Sequence, residues 1–405
     1  MKCLILGDLH VGRGISIGKP AELGNLNSRI QDQEGLLDWA LDLCTNVHKD
    51  LKHIVVTGDV YQDYRPPPAI ISIFMRWLMR CEEAGVEVHI VMGNHDIIRS
   101  GQYVTSALDL VTNLEMKKAY FHKEMGRLEL DDFSIVFIPF RDKRMYEAKD
   151  KEEALAKLKA ELDVVCEESS SKKRVGIGHF AFEGSLSIGD EISDQLNEIF
   201  VPPDMFSWFD YVWMGHIHHP HVIQYEEPYC AHIGSLDKSD FSKTEVNNPK
   251  VAILLDSSNP IGFEEITIPT RPLRPVKITV PLDKDSTEFV INDLCVLSKT
   301  LEFNEAIVRI DITLTGSDLE NVDREKVEEY LYSKLNVHHI CGFSESRNIS
   351  NIQINPEDSF DNMGVKASIK KWASTREQFE DDDERNAFQA AAVEICEEYE
   401  DKIAK

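Results

Sequence analysis

Five short blocks, each led by glycine and rich in Asp, Asn or His, punctuate the first 218 residues: Gly7-Asp-Leu-His10, Gly58-Asp59, Gly93-Asn-His-Asp96, Gly178-His179 and Gly215-His-Ile-His218. Apolar runs lead into four of them (Cys3 to Leu6, Ile54 to Val56, Val86 to Met92 and Tyr211 to Met214), and a shorter run, Val175 to Ile177, precedes the fifth. Runs this short and continuous read as strands buried on both faces. Between them Leu36, Leu37, Ala40, Leu43, Cys44 and Val47 recur at helical spacing. So do Ile70, Ile71, Phe74, Trp77, Leu78 and Cys81, with Gly85 as a stop. The alternation β-α-β-α-β predicts an α/β domain with a parallel sheet under helices. In such a sheet, functional residues gather at the carboxyl ends of the strands, where the blocks lie.

The block residues are of the types that hold two divalent metals: Asp8, His10, Asp59, Asn94, His179, His216 and His218. A two-metal site needs oxygen and imidazole ligands and one carboxylate that reaches both ions, and Asp59 is the natural bridge. Asp8, His10 and His218 then complete one ion, and Asn94, His179 and His216 the other. In Asp-x-His and His-x-His, an extended backbone would turn residues i and i+2 towards one cavity. Nitrogen and oxygen donors without thiolate favour two Mn2+ per chain, with Mg2+ or other divalent metals admissible. Such a pair grips a phosphate and lowers the pKa of a water for in-line attack. His95, beside Asn94, is expected to protonate the leaving oxygen or stabilise its charge, with Asp96 orienting the ring.

Other residues near the blocks are weaker candidates. Gln62, Arg13, Arg65 and Lys238 are expected on the substrate side, and Lys19, Arg99 and Lys243 lie in similar loops. His219 and His221 face either substrate or solvent. His48, His53, His89, His122, His338 and His339 read as ordinary structural histidines.

The formal net charge is −27, which excludes a chain that grips polyanionic nucleic acid with its whole surface. A substrate phosphate would instead be held by cations and a few local bases, with a partner carrying much of the polyanion binding. No stretch reaches the roughly 18 apolar residues of a membrane span. Met1-Lys2 leads straight into a strand rather than a secretory leader. Eight cysteines stand singly, which suits a reducing cytoplasm.

Further along, a helix carries Leu155, Leu158, Leu162 and Val165 on one side, and the first domain closes near Pro269. Arg271 to Pro275 reads as a linker. Beyond it strands (Val276 to Val280, Ala306 to Leu314) and helices (Phe289 to Leu301, Arg324 to Leu335) form a small α+β unit. Val365, Ile369 and Trp372, then Phe388, Ala392, Ile395 and Tyr399, suggest two amphipathic helices around an acidic loop. The division is therefore 1–269, 270–350 and 351–405.

The five blocks resemble those of the calcineurin-like metallophosphoesterases, and in detail those of the SbcD family of double-strand-break repair nucleases. A Tyr229 to Ser235 segment also stands where that family has one, and the length is similar to bacteriophage recombination endonuclease subunits. The resemblance implies an α/β/β/α sandwich, a small α+β capping domain facing DNA, and a C-terminal helical pair docking an SbcC-type coiled-coil ATPase. It implies manganese-dependent 3′→5′ exonuclease activity on double-stranded DNA and endonuclease activity on single strands. The seven metal ligands and the catalytic His95 carry over at the positions named. It also implies a homodimer within a heterotetramer, in the cytoplasm of a bacterial cell or of a phage host. One departure stands out: relatives carry His or Asp three residues after the bridging aspartate, where this chain has Gln62. Gln is neither acid nor base near neutral pH, so the family's exonuclease-to-endonuclease balance does not carry over. The competing reading is another calcineurin-like phosphodiesterase, or a phosphatase of small molecules or phosphoproteins. Those phosphatases show Gly-Asp-x-x-Asp-Arg-Gly, whereas this chain reads Gly58-Asp-Val-Tyr-Gln-Asp-Tyr64.

Overall fold

The apolar run after Lys2 is split between two environments. In β1 (Lys2–Leu6), Leu4 and Leu6 face one core while Cys3 and Ile5 face another, and all four are fully buried. A strand covered on both faces explains the unbroken run. The computed structural model describes residues 2–21, 26–100, 103–167, 172–185, 197–315, 319–348 and 388–392. Next come α1 (Ser28–Asp42), β2 (Leu51–Val56), α2 (Pro68–Glu83), β3 (Glu87–Val91) and β4 (Ala119–His122). The Asn27 side chain caps α1 by accepting from the Arg29 amide, and α2 begins on Pro68. With β11 (Val251–Asp256) and β12 (Phe263–Thr267) these strands form one sheet, ordered β12-β11-β1-β2-β3-β4. β1, β2, β3 and β4 are mutually parallel, and β11 runs antiparallel beside β1.

Leu36, Leu37 and Ala40 of α1 and Ile70, Phe74, Trp77, Leu78 and Cys81 of α2 bury against that sheet, as the spacing predicts. A side chain buried this fully contributes about 1.5–3 kcal/mol. Val47 is the exception and lies exposed. The helix widens into a π turn over Leu43–Val47, where the His48 amide reaches back five residues to the Leu43 carbonyl, and Val47 is left outside the buried face.

The second sheet comprises β5 (Gly126–Glu129), β6 (Phe133–Ile138), β7 (Lys173–Gly178), β8 (Tyr211–Met214), β9 (His221–Gln224) and β10 (Tyr229–His232), ordered β9-β10-β8-β7-β6-β5. Its central strands β6, β7, β8 and β10 are parallel. Helix α3 (Lys151–Cys166) covers its outer face, capped by Asp150 accepting from the Glu153 amide. The buried stripe is Ala154, Leu158, Leu162 and Cys166, with Leu155 and Val165 only partly buried. Ala154 and Cys166 are as fully buried as Leu158 and Leu162, so the buried stripe is offset by one residue at each end from the one that the larger residues predict. Ile5, Val55 and Val91 of the first sheet meet Phe137, Ile177 and Trp213 of the second. The layers are thus helix, sheet, sheet, helix, as the resemblance implied.

A third core lies between α4 (Ser286–Leu297), α5 (Arg324–Lys334) and a parallel sheet of β13 (Leu273–Val280), β14 (Ile307–Leu314) and β15 (His339–Arg347). The expected linker is shorter than predicted, because β13 already begins at Leu273. Pro275 is tolerated there because β13 pairs only with β14 and its other edge needs no donor. Strand β15 was not expected: it is a sheet edge, half exposed and therefore polar in sequence. Arg271 joins this unit to the sandwich, reaching Asp32 at 2.6 Å and Glu305 at 2.9 Å. Within the expected terminal helical pair, residues 388–392 are helical and the rest lies outside the described residues.

Candidate metal centre

All five glycine-led blocks emerge at one end of the sandwich, after β1, β2, β3, β7 and β8. Their backbones turn sharply. His10, Asp59 and His216 take positive φ values of 42°, 47° and 81°, which non-glycine residues adopt only where the surroundings over-determine them. The expected extended geometry is therefore not the reason that Asp8 and His10, or His216 and His218, share a cavity. A left-handed kink at His10 and at His216 brings them together instead. Two glycines make the approach possible. At Gly58 (φ 121°) a Cβ would strike the His179 ring and the Gly93 backbone, and at Gly215 it would strike the Asp8 carboxylate.

Asp59 Oδ2 is the pivot, 3.5 Å from His10 Nε2 and 3.3 Å from His179 Nε2. On the first side His10 Nε2 lies 2.8 Å from His218 Nε2, which lies 3.8 Å from Asp8 Oδ2. On the other side Asn94 Oδ1 lies 2.9 Å from His179 Nε2 and 3.0 Å from His216 Nδ1. Asp8, His10, Asp59, His179, His216 and His218 are all at least nine-tenths buried. Separations of 2.8–3.8 Å between donor atoms suit the edges of a coordination shell whose bonds are about 2.0–2.2 Å. Asp8, His10 and His218 form one such group of ligand atoms, and Asp8, Asp59 and His179 another. These nitrogen and oxygen donors fit divalent metal binding.

The electrostatics show what the array does without them. Burial works to raise the Asp59 carboxyl, but His179 and His95 hold it well below the usual carboxylate range. Burial pushes Asp8 up to about 6, against the pull of His179. His179 is raised to about 10, since Asp59 and Asp8 outweigh its own burial. His10 is driven well below its ordinary value by burial and then by His218. Protons thus occupy part of the place that cations can take, and metal affinity in such a site rises as they leave.

His95 is set into the rim. Its amide donates to Asp59 Oδ1 at 2.8 Å, its ring Nδ1 lies 2.8 Å from the Gln62 carbonyl, and its ring stands edge-on to His10. A carbonyl only accepts, so Nδ1 carries the hydrogen and Nε2 is the nitrogen left for substrate. Asp96 departs from the expected role of orienting that ring. It is buried and accepts from the amides of Asp59, Val60 and Gly93 at 2.8–2.9 Å, so it shapes the loops that carry the ligands. Gln62 holds His95 through its backbone.

Of the expected substrate residues, Arg13 reaches the cluster, with Nη1 2.9 Å from His218 Nε2. Arg65 is exposed and lies over the Tyr64 ring. Lys238 corrects the expectation. It is buried, and its ammonium donates to the Val246 carbonyl at 3.1 Å, because its loop folds back onto the sandwich. His221 stacks on the buried His232, and His219 on His221.

Three supporting residues lie outside the glycine-led blocks. Glu198 Oε1 lies 2.5 Å from His216 Nε2 and the carboxylate is buried. Lys250 donates to the His218 carbonyl at 2.9 Å and to Glu245 at 2.6 Å. His232 Nδ1 lies 3.1 Å from the Gly215 carbonyl. None of the three neighbours a glycine-led block, which is the only signal that singled out the ligands.

The family profile described as calcineurin-like phosphoesterase matches residues 1–220, more than half of the chain. The chain is similar to the SbcD component of the SbcCD nuclease from Staphylococcus epidermidis, 23% identical over 369 residues, covering 88% of this chain and 90% of that one. The protein of the same name from Staphylococcus saprophyticus is 22% identical over 399 residues, covering 87% and 97%. Among solved structures, a dimetal phosphatase from Danio rerio aligns with a TM-score of 0.39 at 11% identity, over 66% of this chain and 98% of that one. No helix among the described residues is long and apolar enough to cross a membrane.

Proposed function

The chain belongs to the calcineurin-like phosphoesterases, enzymes that hydrolyse phosphoester bonds, and on that premise we propose that it is a two-metal DNA nuclease that trims DNA ends beside an SbcC-type coiled-coil ATPase. The observation that carries the reading is the convergence of seven donor side chains, from both sheets, around Asp59 Oδ2. Likeness to two nuclease components over nearly the whole length supports DNA as the substrate.

Asp8, His10, His218 and Asp59 would hold one cation, and Asp59, Asn94, His179 and His216 would hold the other, with two Mn2+ per chain as the resident pair. Bound there, divalent cations supply positive charge to the phosphate oxygens and acidify water. The chain's own groups do the rest. His95 presents Nε2 to the leaving oxygen, its ring fixed by Gln62. Asp96 holds the Asp59 turn. Arg13 cannot share the His218 nitrogen with a cation, so it turns to the substrate phosphate, with Arg65 further out. Gln62 offers a neutral side chain where an acid or base would otherwise stand.

The units are a nuclease domain over 1–269, a capping domain over 270–350 and a partner-docking tail over 351–405. The activities are 3′→5′ exonuclease on duplex ends and endonuclease on single strands, in a homodimer within a heterotetramer, in the cytoplasm. The test is degradation of defined linear DNA with Mn2+, with and without the ATPase. Asp59→Asn should abolish cleavage. His95→Ser should lower kcat by about 10²–10⁴ and leave metal binding intact. Phosphoprotein hydrolysis without DNA cleavage would establish the phosphatase reading instead. Truncation after residue 350 should leave hydrolysis of a simple phosphodiester and lose the ATPase in a pull-down; retained binding refutes the docking role.

A further inference from the structure

At the other end of the first sheet lies a second set of ligating side chains. Strands β2 and β3 are parallel, and their register sets His53 beside Glu87. His89 follows two residues along β3 on the same face. Glu87 opens β3, and even His89 stands five residues before Asn94, at most about 17 Å at 3.3 Å per residue, so this cluster is separate from the catalytic loops.

His53 Nδ1 lies 3.7 Å from Glu87 Oε2, and His53, Glu87 and His89 each bring one ligand atom within 4.8 Å of the others. His89 is 4% exposed and its Nε2 has no hydrogen-bond partner; His53 Nδ1 is buried in the same condition. A buried polar atom left unmet is costly, and two beside one carboxylate call for a shared electrophile. The His89 ring cannot turn away, because it stacks on Tyr120 at 4.8 Å and Phe137 at 5.3 Å. Its Nδ1 is 3.1 Å from His122 Nε2, the kind of outer contact that fixes a metal-binding imidazole. Lys118 takes Glu87 Oε1 at 3.0 Å and leaves Oε2 on the His53 side.

We propose that His53, Glu87 and His89 form a binding site for a zinc-class divalent cation, distinct from the catalytic pair, that clasps β2 to β3. Two imidazoles and a carboxylate are a three-ligand set that zinc accepts, with its fourth position open to water. His53 and Glu87 are only partly buried, which gives the ion a way in and the two side chains room to close on it. Burial keeps the two imidazoles in the unprotonated, ligating form, pushing His89 down to about 3 and lowering His53 as well. The site does not depend on the nuclease reading.

The test counts zinc. The full chain, stripped with chelator, is dialysed against Zn2+ and analysed by elemental mass spectrometry beside His53→Ala and Glu87→Gln. These partly exposed positions can change without opening the core. Wild type should hold one equivalent more per chain than either variant, and zinc should raise its unfolding temperature more. Mn2+-dependent hydrolysis of bis(p-nitrophenyl) phosphate should be equal in all three. An equal zinc count in the three chains overturns the proposal. A missing equivalent with hydrolysis absent throughout would leave this site standing and sink the catalytic one.

Discussion

Glu198→Ala tests whether the cluster is tuned from outside its ligands. A neutral imidazole carries one N–H. With Glu198 Oε1 2.5 Å from Nε2, the hydrogen of His216 belongs on Nε2, which leaves the Nδ1 lone pair facing Asn94 Oδ1 at 3.0 Å. Without the carboxylate the two tautomers compete and the ring is free to turn. Loss of such an outer partner typically weakens metal binding 10–100-fold, or about 1.4–2.7 kcal/mol at 1.36 kcal/mol per decade. In a Mn2+ titration followed by electron paramagnetic resonance, one class of site should weaken by that factor while the class built on Asp8, His10 and His218 keeps its affinity. Glu198→Gln keeps an acceptor without the charge and should fall between. If Glu198→Ala and wild type titrate alike in both classes, the carboxylate does not set the tautomer, and the short contact is only a packing accident.

Two further outcomes follow from buried polar groups. Asp96→Asn turns an amide towards backbone N–H donors and should cost about 1–3 kcal/mol in urea denaturation, together with weaker Mn2+ binding through the Asp59 turn; an unmoved midpoint would remove Asp96 from that role. Arg29 is fully buried and bonds Asp32 and Asp237, each at 2.5 Å, so Arg29→Met should destabilise by about 3–5 kcal/mol. Burial already raises the Asp237 carboxyl against the pull of Arg29, and losing the cation raises it further. A folded-state pKa above the unfolded one favours the protonated form, so the deficit should be largest near pH 7 and shrink as the solution is acidified towards that raised pKa. A deficit constant with pH would show that lost packing, not the stranded carboxylate, is responsible.

The five strands that lead into the candidate ligands were legible because burial on both faces forces unbroken apolar runs, and because tight strand ends demand glycine. Chemistry and backbone strain mark the same positions there. Where only one of these acts, the signal fades. Glu198 and Lys250 act through long side chains from unmarked loops, so nothing local identifies them. The stripe on α3 was misread by one residue because alanine and cysteine bury without looking strongly apolar. β15 was missed because an edge strand keeps one face and one rim in water. Lys238 was placed outside because a lysine in a loop is ordinarily solvated, and the folding back of that loop is a tertiary event. His53 and His89 look structural one at a time, and only the pairing of β2 with β3 sets them beside one carboxylate.

The two sheets divide the ligands by chain order. Asp8, His10, Asp59 and Asn94 leave the first sheet, and His179, His216 and His218 leave the second. A nascent chain that has emerged as far as His122 therefore carries half a centre and nothing to oppose it. Even after His218 the first sheet still lacks β11, which must return to lie against β1. Competence arrives late and all at once, when the halves close on each other. Such a centre cannot form before β11 has been made, and a shear between the sheets would pull its two halves apart without altering any side chain in it.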